Sequence, residues 1–301
     1  MAQKTIITLG IKLTDEHKKR LMALGELKEL ESPMSVEDFL SKTKNANVIY
    51  SNGDYLLESL PKLKNVFVTY PYVELGVFNS EELEENGVFV ANARGGNRDS
   101  IVEWVMYMVL SLFRKFRDKV RATENIPFEL QESLQNKKVL IVGHGSIGSQ
   151  IGVLCKAFGM NVTFFERGDN LLSSSKNADL VVNALNCNST SKNLLNEQFF
   201  MNLKNGCYYI TFVRPWTYDI DGLIKSINAG IVAGAAIDCD PESFGDTKNQ
   251  FYQKAMNNPK ILITPHIAFS TKQASANGRE IAIKNIESFF AGKPQNILRK
   301  K

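Results

Sequence analysis

Residues 137–168 read "KKVLIVGHGSIGSQIGVLCKAFGMNVTFFERG", and this stretch decides the fold. An apolar strand (Val139–Val142) runs into Gly143, Gly145 and Gly148, spaced as G-x-G-x-x-G. A helical stretch (Ile147–Phe158) follows, and a second strand (Asn161–Phe165) ends at Glu166. The bare pattern is weak, because glycines are common in turns. Framed by strand, helix and strand, with an acid eighteen positions after Gly148, it points to a dinucleotide site rather than a ligand-free turn.

Each position has a physical task. Gly143 allows the tight turn, Gly145 lets the backbone approach a pyrophosphate, and Gly148 lets helix and strand pack closely. The helix N-terminus offers free N–H groups and a positive dipole end to the phosphates. Glu166 can accept hydrogen bonds from ribose hydroxyls and would repel a 2′-phosphate, which favours NAD over NADP. Arg167, next door, keeps NADP open. His144, inside the motif, reads as a bystander.

Working outward, short β-rich apolar runs alternate with longer helical ones, the pattern of parallel sheets with crossover helices. Before the glycine turn, "TIITLG", "NVIYS", "NVFVT" and "VFVAN" read as strands, with a helical stretch around Asp15–Leu30. From the turn onward "KVLIVG", "NVTFFE", "ADLVVNAL", "CYYITF", "AGAAID" and "ILITP" read as strands, and Lys272–Ala291 as one long helix. Between the parts, "DSIVEWVMYMVLSLFRKFRDKV" is apolar over far more than the roughly 100° stripe of a surface helix. That predicts a helix buried on more than one side, sandwiched between domains, at a subunit interface, or both.

Composition bounds the function. The 301 residues are 44% hydrophobic and 23% charged, with a formal charge of +4 and scattered lysines. No zinc-finger spacing or aromatic-basic interleaving suggests nucleic acid. Cys155, Cys187, Cys207 and Cys239 form no C-x-x-C pair and read as core residues of a reducing compartment. The N-terminal apolar stretch is too short for a signal peptide, and no run approaches the ~18 apolar residues of a membrane span. A cytoplasmic globular protein is expected, with no metal site.

Three more strand ends carry charge. "YYITFVRPWTYD" places Arg214 just past a strand. "AGAAIDCDPESFGD" places Asp238 at a strand end, with Asp240 and Glu242 behind it. "ILITPHIAFST" places His266, one of three histidines, after Pro265. A lone histidine at a strand end is most often a satisfied polar residue. Together with a guanidinium that can hold a carboxylate and an acid that can keep an imidazole charged, it suits reduction of a 2-oxo acid.

These residues resemble the D-isomer-specific 2-hydroxyacid dehydrogenases, which include D-glycerate, D-lactate and phosphoglycerate dehydrogenases. The resemblance runs from about Val88 to Ala274. It is carried by "VANARGGNRDSIVEW", "VGHGSIGSQIGVLCKAFGMNV…E", "FVRPWTYDIDGLIKSINAGIVAGAAID" and "ITPHIAFSTKQA". It implies an α/β fold of two Rossmann-like domains, flavodoxin-like and NAD-binding, with parallel sheets and a cleft between them. Residues 1–95 with 270–301 would form the discontinuous substrate-binding domain, and 96–269 the NAD-binding domain. The apolar helix near Asp99–Val120 would match the family's dimer-forming region, giving a homodimer.

The roles implied are these. Arg214 binds the substrate carboxylate and keto oxygen, and His266 protonates the carbonyl oxygen as hydride passes to C2. A glutamate pairs with the imidazole. Asp238 lies where the family contacts the nicotinamide amide, and Ser146, Ile147 and Glu166 where it contacts the dinucleotide.

Three departures bear on substrate. The family's glutamate usually lies five positions after the residue matching Asp238, where this chain has Ser243. Glu242 is one residue early, with Asp240 as its substitute. After Arg214 the family usually has two glycines. Here Pro215 removes an N–H and Trp216 adds bulk. The glycine-rich substrate loop is replaced by "TYPYVELG", where Tyr70 and Tyr72 are expected to narrow or reshape the pocket.

The leading reading is an NAD-dependent dehydrogenase of a small 2-oxo or 2-hydroxy acid. An alternative keeps the fold and loses turnover: an NAD(H)-sensing regulatory protein, like the family's co-repressor relatives. A formate-type dehydrogenase would prefer an amide partner for the histidine, whereas this loop offers acids.

Overall fold

In the computed structural model, which describes residues 4–299 other than 77, 121, 125–127 and 239–245, the chain divides into two units. One is Met1–Asn97 with Thr271–Lys301, the other Arg98–Ser270.

The first unit holds five parallel strands: β1 (Thr5–Leu9), β2 (Glu26–Leu30), β3 (Val48–Ser51), β4 (Val66–Thr69) and β5 (Val88–Ala91). Their order is β2-β1-β3-β4-β5. Alternate residues feed opposite cores. Ile49, Val66 and Val68 join the cluster with Phe39 and Leu83, while Val48, Tyr50 and Phe67 join the one with Ala282, Ile283 and Ile286. The last three come from the helix Lys272–Phe290, so the C-terminal segment covers one face of a sheet built from the N-terminal one. Ile297 extends this with a bridge to Ala91.

The stretch Asp15–Leu30, expected to be helical throughout, is helical only over Asp15–Met22. Its second half is β2. The sequence ELKEL is rich in helix formers and lacks apolar alternation, because this edge strand is largely exposed. Pairing with β1, from Thr5 opposite Glu26 to Leu9 opposite Leu30, overrides the local preference. Gly25 makes the approach feasible, since a Cβ there would lie 2.2 Å from the Lys4 carbonyl oxygen.

The second unit holds six parallel strands: β6 (Lys138–Val142), β7 (Asn161–Phe165), β8 (Leu180–Asn183), β9 (Cys207–Thr211), β10 (Val232–Asp238) and β11 (Ile261–Thr264). Their order is β11-β10-β9-β8-β6-β7. The chain steps outward from β6 to β7, then returns to the other side of β6 to place β8. The carboxyl ends of β6 and β8 therefore bracket the switch point, where open α/β sheets bind ligands. The helix Arg98–Phe113 packs on the helix Ser146–Ala157 and across β9 and β10 of its own unit. It buries eleven of its sixteen residues and leaves Tyr107 and Leu110 exposed. Among the described residues, no helix is long and apolar enough to cross a membrane.

Candidate active site

At the switch point the three glycines differ in what surrounds them. Gly143 has φ +116°, and a Cβ would sit 2.4 Å from the Ala184 carbonyl oxygen, just past β8. At Gly148 a Cβ would sit 2.0 Å from the Gly143 carbonyl oxygen. Gly145 has nothing within 4 Å of such an atom, so its surroundings are open. It is the N-cap of the helix Ser146–Ala157 and supplies no side-chain cap. The first-turn N–H groups thus keep their capacity for an anion, which fits a dinucleotide pyrophosphate. Ser146 is exposed at that turn, and Ile147 packs on the core beneath. Gly152, one helical turn on and not singled out by the motif, clears the Phe164 ring, which a Cβ would meet at 2.6 Å.

Glu166 follows β7 with its carboxylate largely exposed. Its partner is His144, which sequence reading took for a bystander: His144 Nδ1 lies 3.1 Å from Glu166 Oε1. The His144 ring also stacks on Phe164, with centroids 3.9 Å apart and planes 15° from parallel. Asp169 accepts a hydrogen bond from the Glu166 backbone N–H at 2.9 Å.

Arg214 lies three residues beyond β9, exposed, at the start of the 3₁₀ turn Pro215–Thr217. That turn is anchored from below by Asn183, fully buried at the end of β8. The Asn183 amide donates to the Thr217 hydroxyl at 2.9 Å, to the Tyr209 hydroxyl at 3.1 Å and to the Thr211 hydroxyl at 3.3 Å. Trp216 leans on the 186–193 loop. Its indole N–H donates to the Asn188 carbonyl at 2.9 Å, and Lys192 Nζ sits 4.9 Å from its ring centre.

Asp238 ends β10, is 1% exposed, and holds the turn after β11. Oδ1 accepts from the Thr264 hydroxyl at 2.5 Å and the Ile267 N–H at 2.9 Å, and Oδ2 from the Ala268 N–H at 2.8 Å. Between these donors sits His266, with φ +56°, a left-handed conformation that a β-carbon makes costly and histidine adopts more readily than most. Burial pushes the Asp238 carboxyl above the usual range, against the three donors and the His266 imidazole, which pull it down. The family resemblance gives Asp238 to the nicotinamide amide. Here both oxygens also hold the turn that presents His266.

Arg214, Asp238 and His266 follow three neighbouring strands, β9, β10 and β11, paired in parallel with Ile237 opposite Thr211 and Asp238 opposite Thr264. The fold therefore brings them to one edge of one sheet, the edge that carries the glycine turn. Glu242 and Asp240, the candidate acids for the imidazole, lie outside the described residues. No cluster of three metal-ligating side chains occurs among the described residues.

In the first unit, Tyr70 corrects an expectation. It is 1% exposed and donates its hydroxyl to the Val73 carbonyl at 3.1 Å, so it belongs to the core rather than to a pocket wall. Tyr72 remains exposed.

The model of the D-isomer specific 2-hydroxyacid dehydrogenase NAD binding domain matches residues 104–268, more than half of the chain. The chain therefore belongs to the D-isomer-specific 2-hydroxyacid dehydrogenase family, and its second unit is an NAD-binding domain. D-3-phosphoglycerate dehydrogenase 1 of Saccharomyces cerevisiae is 28% identical over 288 residues, 84% of this chain and 60% of the yeast protein. The chain thus spans about three fifths of that relative. Among solved structures, an NAD-complexed D-isomer specific 2-hydroxyacid dehydrogenase from Lactobacillus delbrueckii ssp. bulgaricus superposes with a TM-score of 0.79 at 18% identity, covering 98% of this chain and all of that one. An acyclic imino acid reductase solved with NADPH and D-Arg gives 0.80 at 17% identity, with the same 98% coverage of this chain and 100% of that one. These similarities define the fold.

Proposed function

We propose that the chain is an NAD-dependent oxidoreductase that interconverts a small 2-oxo acid and its D-2-hydroxy acid. The observation that carries this reading is the buried Asp238 clamp, which holds the His266 turn at the same sheet edge as Arg214 inside an NAD-binding domain. When bound, the nicotinamide supplies or accepts the hydride. The planar fork of Arg214 suits a substrate carboxylate held through two hydrogen bonds. His266 holds a proton for the carbonyl oxygen in reduction and takes it from the hydroxyl in oxidation. Glu242, with Asp240 as substitute, is the proposed acidic partner of the imidazole.

Gly143, Gly145, Ser146, Ile147 and Gly148 would hold the pyrophosphate, and Glu166 the adenosine ribose, which favours NAD. The unit built from both chain segments is the proposed substrate-binding domain. Exposed Tyr107 and Leu110 support a homodimer formed through the helix Arg98–Phe113. The free thiols of the buried Cys155 and Cys207 suit a cytoplasmic enzyme.

The test follows oxidation of NADH, and in parallel NADPH, with glyoxylate, hydroxypyruvate, pyruvate and larger 2-oxo acids, with His266→Ala alongside. Turnover that is lost in the variant supports the dehydrogenase. Silence across the panel, with NADH still binding tightly, would replace it by an NAD(H)-sensing protein.

A further inference from the structure

The glycine turn contains a side chain that the dinucleotide motif does not require. His144 stands between Gly143 and Gly145, exposed, with its ring flat on Phe164 and Nδ1 on the Glu166 carboxylate at 3.1 Å. Two contacts fix the imidazole: the stack sets its plane and the hydrogen bond sets its direction. Any effect of its charge therefore falls first on Glu166. We infer that His144 is a specificity-determining residue, which through its pair with Glu166 decides how far the site tolerates a phosphate on the adenosine 2′ position. This rests on the reading of Glu166 as the ribose acceptor.

The argument is electrostatic. A Glu166 carboxylate paired with a neutral imidazole keeps its charge, accepts from the ribose hydroxyls and repels a 2′-phosphate. Paired with an imidazolium, the same carboxylate has its charge offset and repels the phosphate less. Imidazoles exchange that proton between about pH 5 and 8. The charged groups around His144 come from the end of β7 and the turn beyond it: Glu166, Arg167 and Asp169. The loop after β8, which meets the glycine turn at Ala184 and Leu185, contributes Cys187 as its titratable side chain before Lys192. Of these groups, His144 is the one whose side chain contacts the Glu166 carboxylate. The pair therefore makes dinucleotide choice conditional: NAD at all values, NADP increasingly as protons become available.

The experiment measures Kd for NAD⁺ and NADP⁺, the acid-stable oxidised forms, by titration calorimetry on the whole chain between about pH 5.5 and 8.5. The readout is the ratio of the two constants, which a general loss of folding would not move. In the wild type the NADP⁺/NAD⁺ ratio should fall about fivefold on acidification, the effect of one charge a few ångströms away near the surface. His144→Phe keeps the stack and removes the bond and the proton, so its ratio should lose that fall. His144→Lys carries a permanent charge, so its ratio should be low throughout. The 2′-phosphate of NADP⁺ also gains a proton in acid, but equally against every variant, so the difference from wild type isolates His144.

Glu166→Ala separates the two readings. If it changes neither NAD⁺ affinity nor the ratio, the ribose assignment itself fails. If it shifts the ratio while wild type and His144→Phe share one pH profile, the role of His144 is overturned and the ribose assignment stands.

Discussion

Asp238 and Ala268 are thirty residues apart, yet the Ala268 N–H donates to Asp238 Oδ2 at 2.8 Å. This bond and its companions at Ile267 and Thr264 make one buried carboxylate the floor of the turn that carries His266. Asp238→Asn should show the dependence. An amide turns one acceptor into a donor that faces a donor. On the proposed role of His266 we expect kcat/KM to fall about a hundredfold, the cost of an acid/base group displaced by about an ångström. Stability should fall by about 1–3 kcal/mol from the broken buried bonds. Steady-state kinetics beside a urea melt checks both, and unchanged kinetics would remove Asp238 from the positioning of His266.

Gly145 and Gly148 look alike in the motif but should respond oppositely to alanine. At Gly145 the space is open and φ is −83°, so Gly145→Ala should leave stability within about 0.5 kcal/mol and weaken NAD binding by crowding the pyrophosphate. At Gly148 the new methyl meets the Gly143 carbonyl oxygen at 2.0 Å, so Gly148→Ala should cost about 1–3 kcal/mol through forced backbone movement. Thermal melts and NADH fluorescence titration separate the two.

Arg20 joins the helix Asp15–Met22 to the helix Lys272–Phe290 by bonds to both Glu280 and Glu287, with Nε and both terminal nitrogens engaged. Its guanidinium holds the Glu280 carboxyl below the usual range. A depressed carboxylate contributes stability above its unfolded value and loses it as pH falls through the folded one. Acid denaturation monitored by circular dichroism should therefore show an Arg20→Met chain that loses less stability between about pH 5 and 3 than the wild type does. At neutral pH the variant should be weaker by about 1–2 kcal/mol.

Thiol chemistry should sort the cysteines by environment. Burial pushes both Cys155 and Cys207 up to about 12, so neither presents a thiolate near neutrality. Cys187 is exposed in the loop after β8. Iodoacetamide on the native protein, read by peptide mass spectrometry, should label Cys187 while Cys155 and Cys207 stay unmodified until urea is added. Native labelling of Cys155 would contradict the packing of the helix Ser146–Ala157 against β6.

What the sequence reveals depends on whether a residue's role is local. The four interior strands of the second unit, β6, β8, β9 and β10, are legible because parallel strands buried on both faces read as unbroken apolar runs. β2 is not, since an exposed edge strand carries no such run and ELKEL obeys pairing with β1. The glycine turn declares itself because each glycine is demanded by neighbours a few residues away. Asn183 gave no comparable signal. A polar residue at the end of an apolar strand becomes informative only when β9 and the Arg214 turn are known to lie over it. The contact of His144 with Glu166 is hidden for the same reason, since Glu166 comes from the far end of β7. Tyr70 was misread because direction, inward to Val73 rather than outward, is fixed by the strand end and not by the residue type. Glu242 and Asp240, the proposed acidic partners of His266, lie outside the described residues.

The interrupted unit has a consequence for synthesis. Residues 98–270 form a contiguous unit and have all their strands once translation passes Thr264. The flanking unit at that moment still lacks the helix Lys272–Phe290, and the face made by Ile6, Val48, Tyr50 and Phe67 has Leu21 on it but not Ala282, Ile283 and Ile286. A nascent chain paused there exposes apolar sheet surface, the condition in which chaperones engage and aggregation begins. Translation must pass Phe290 before the strands made first are sealed.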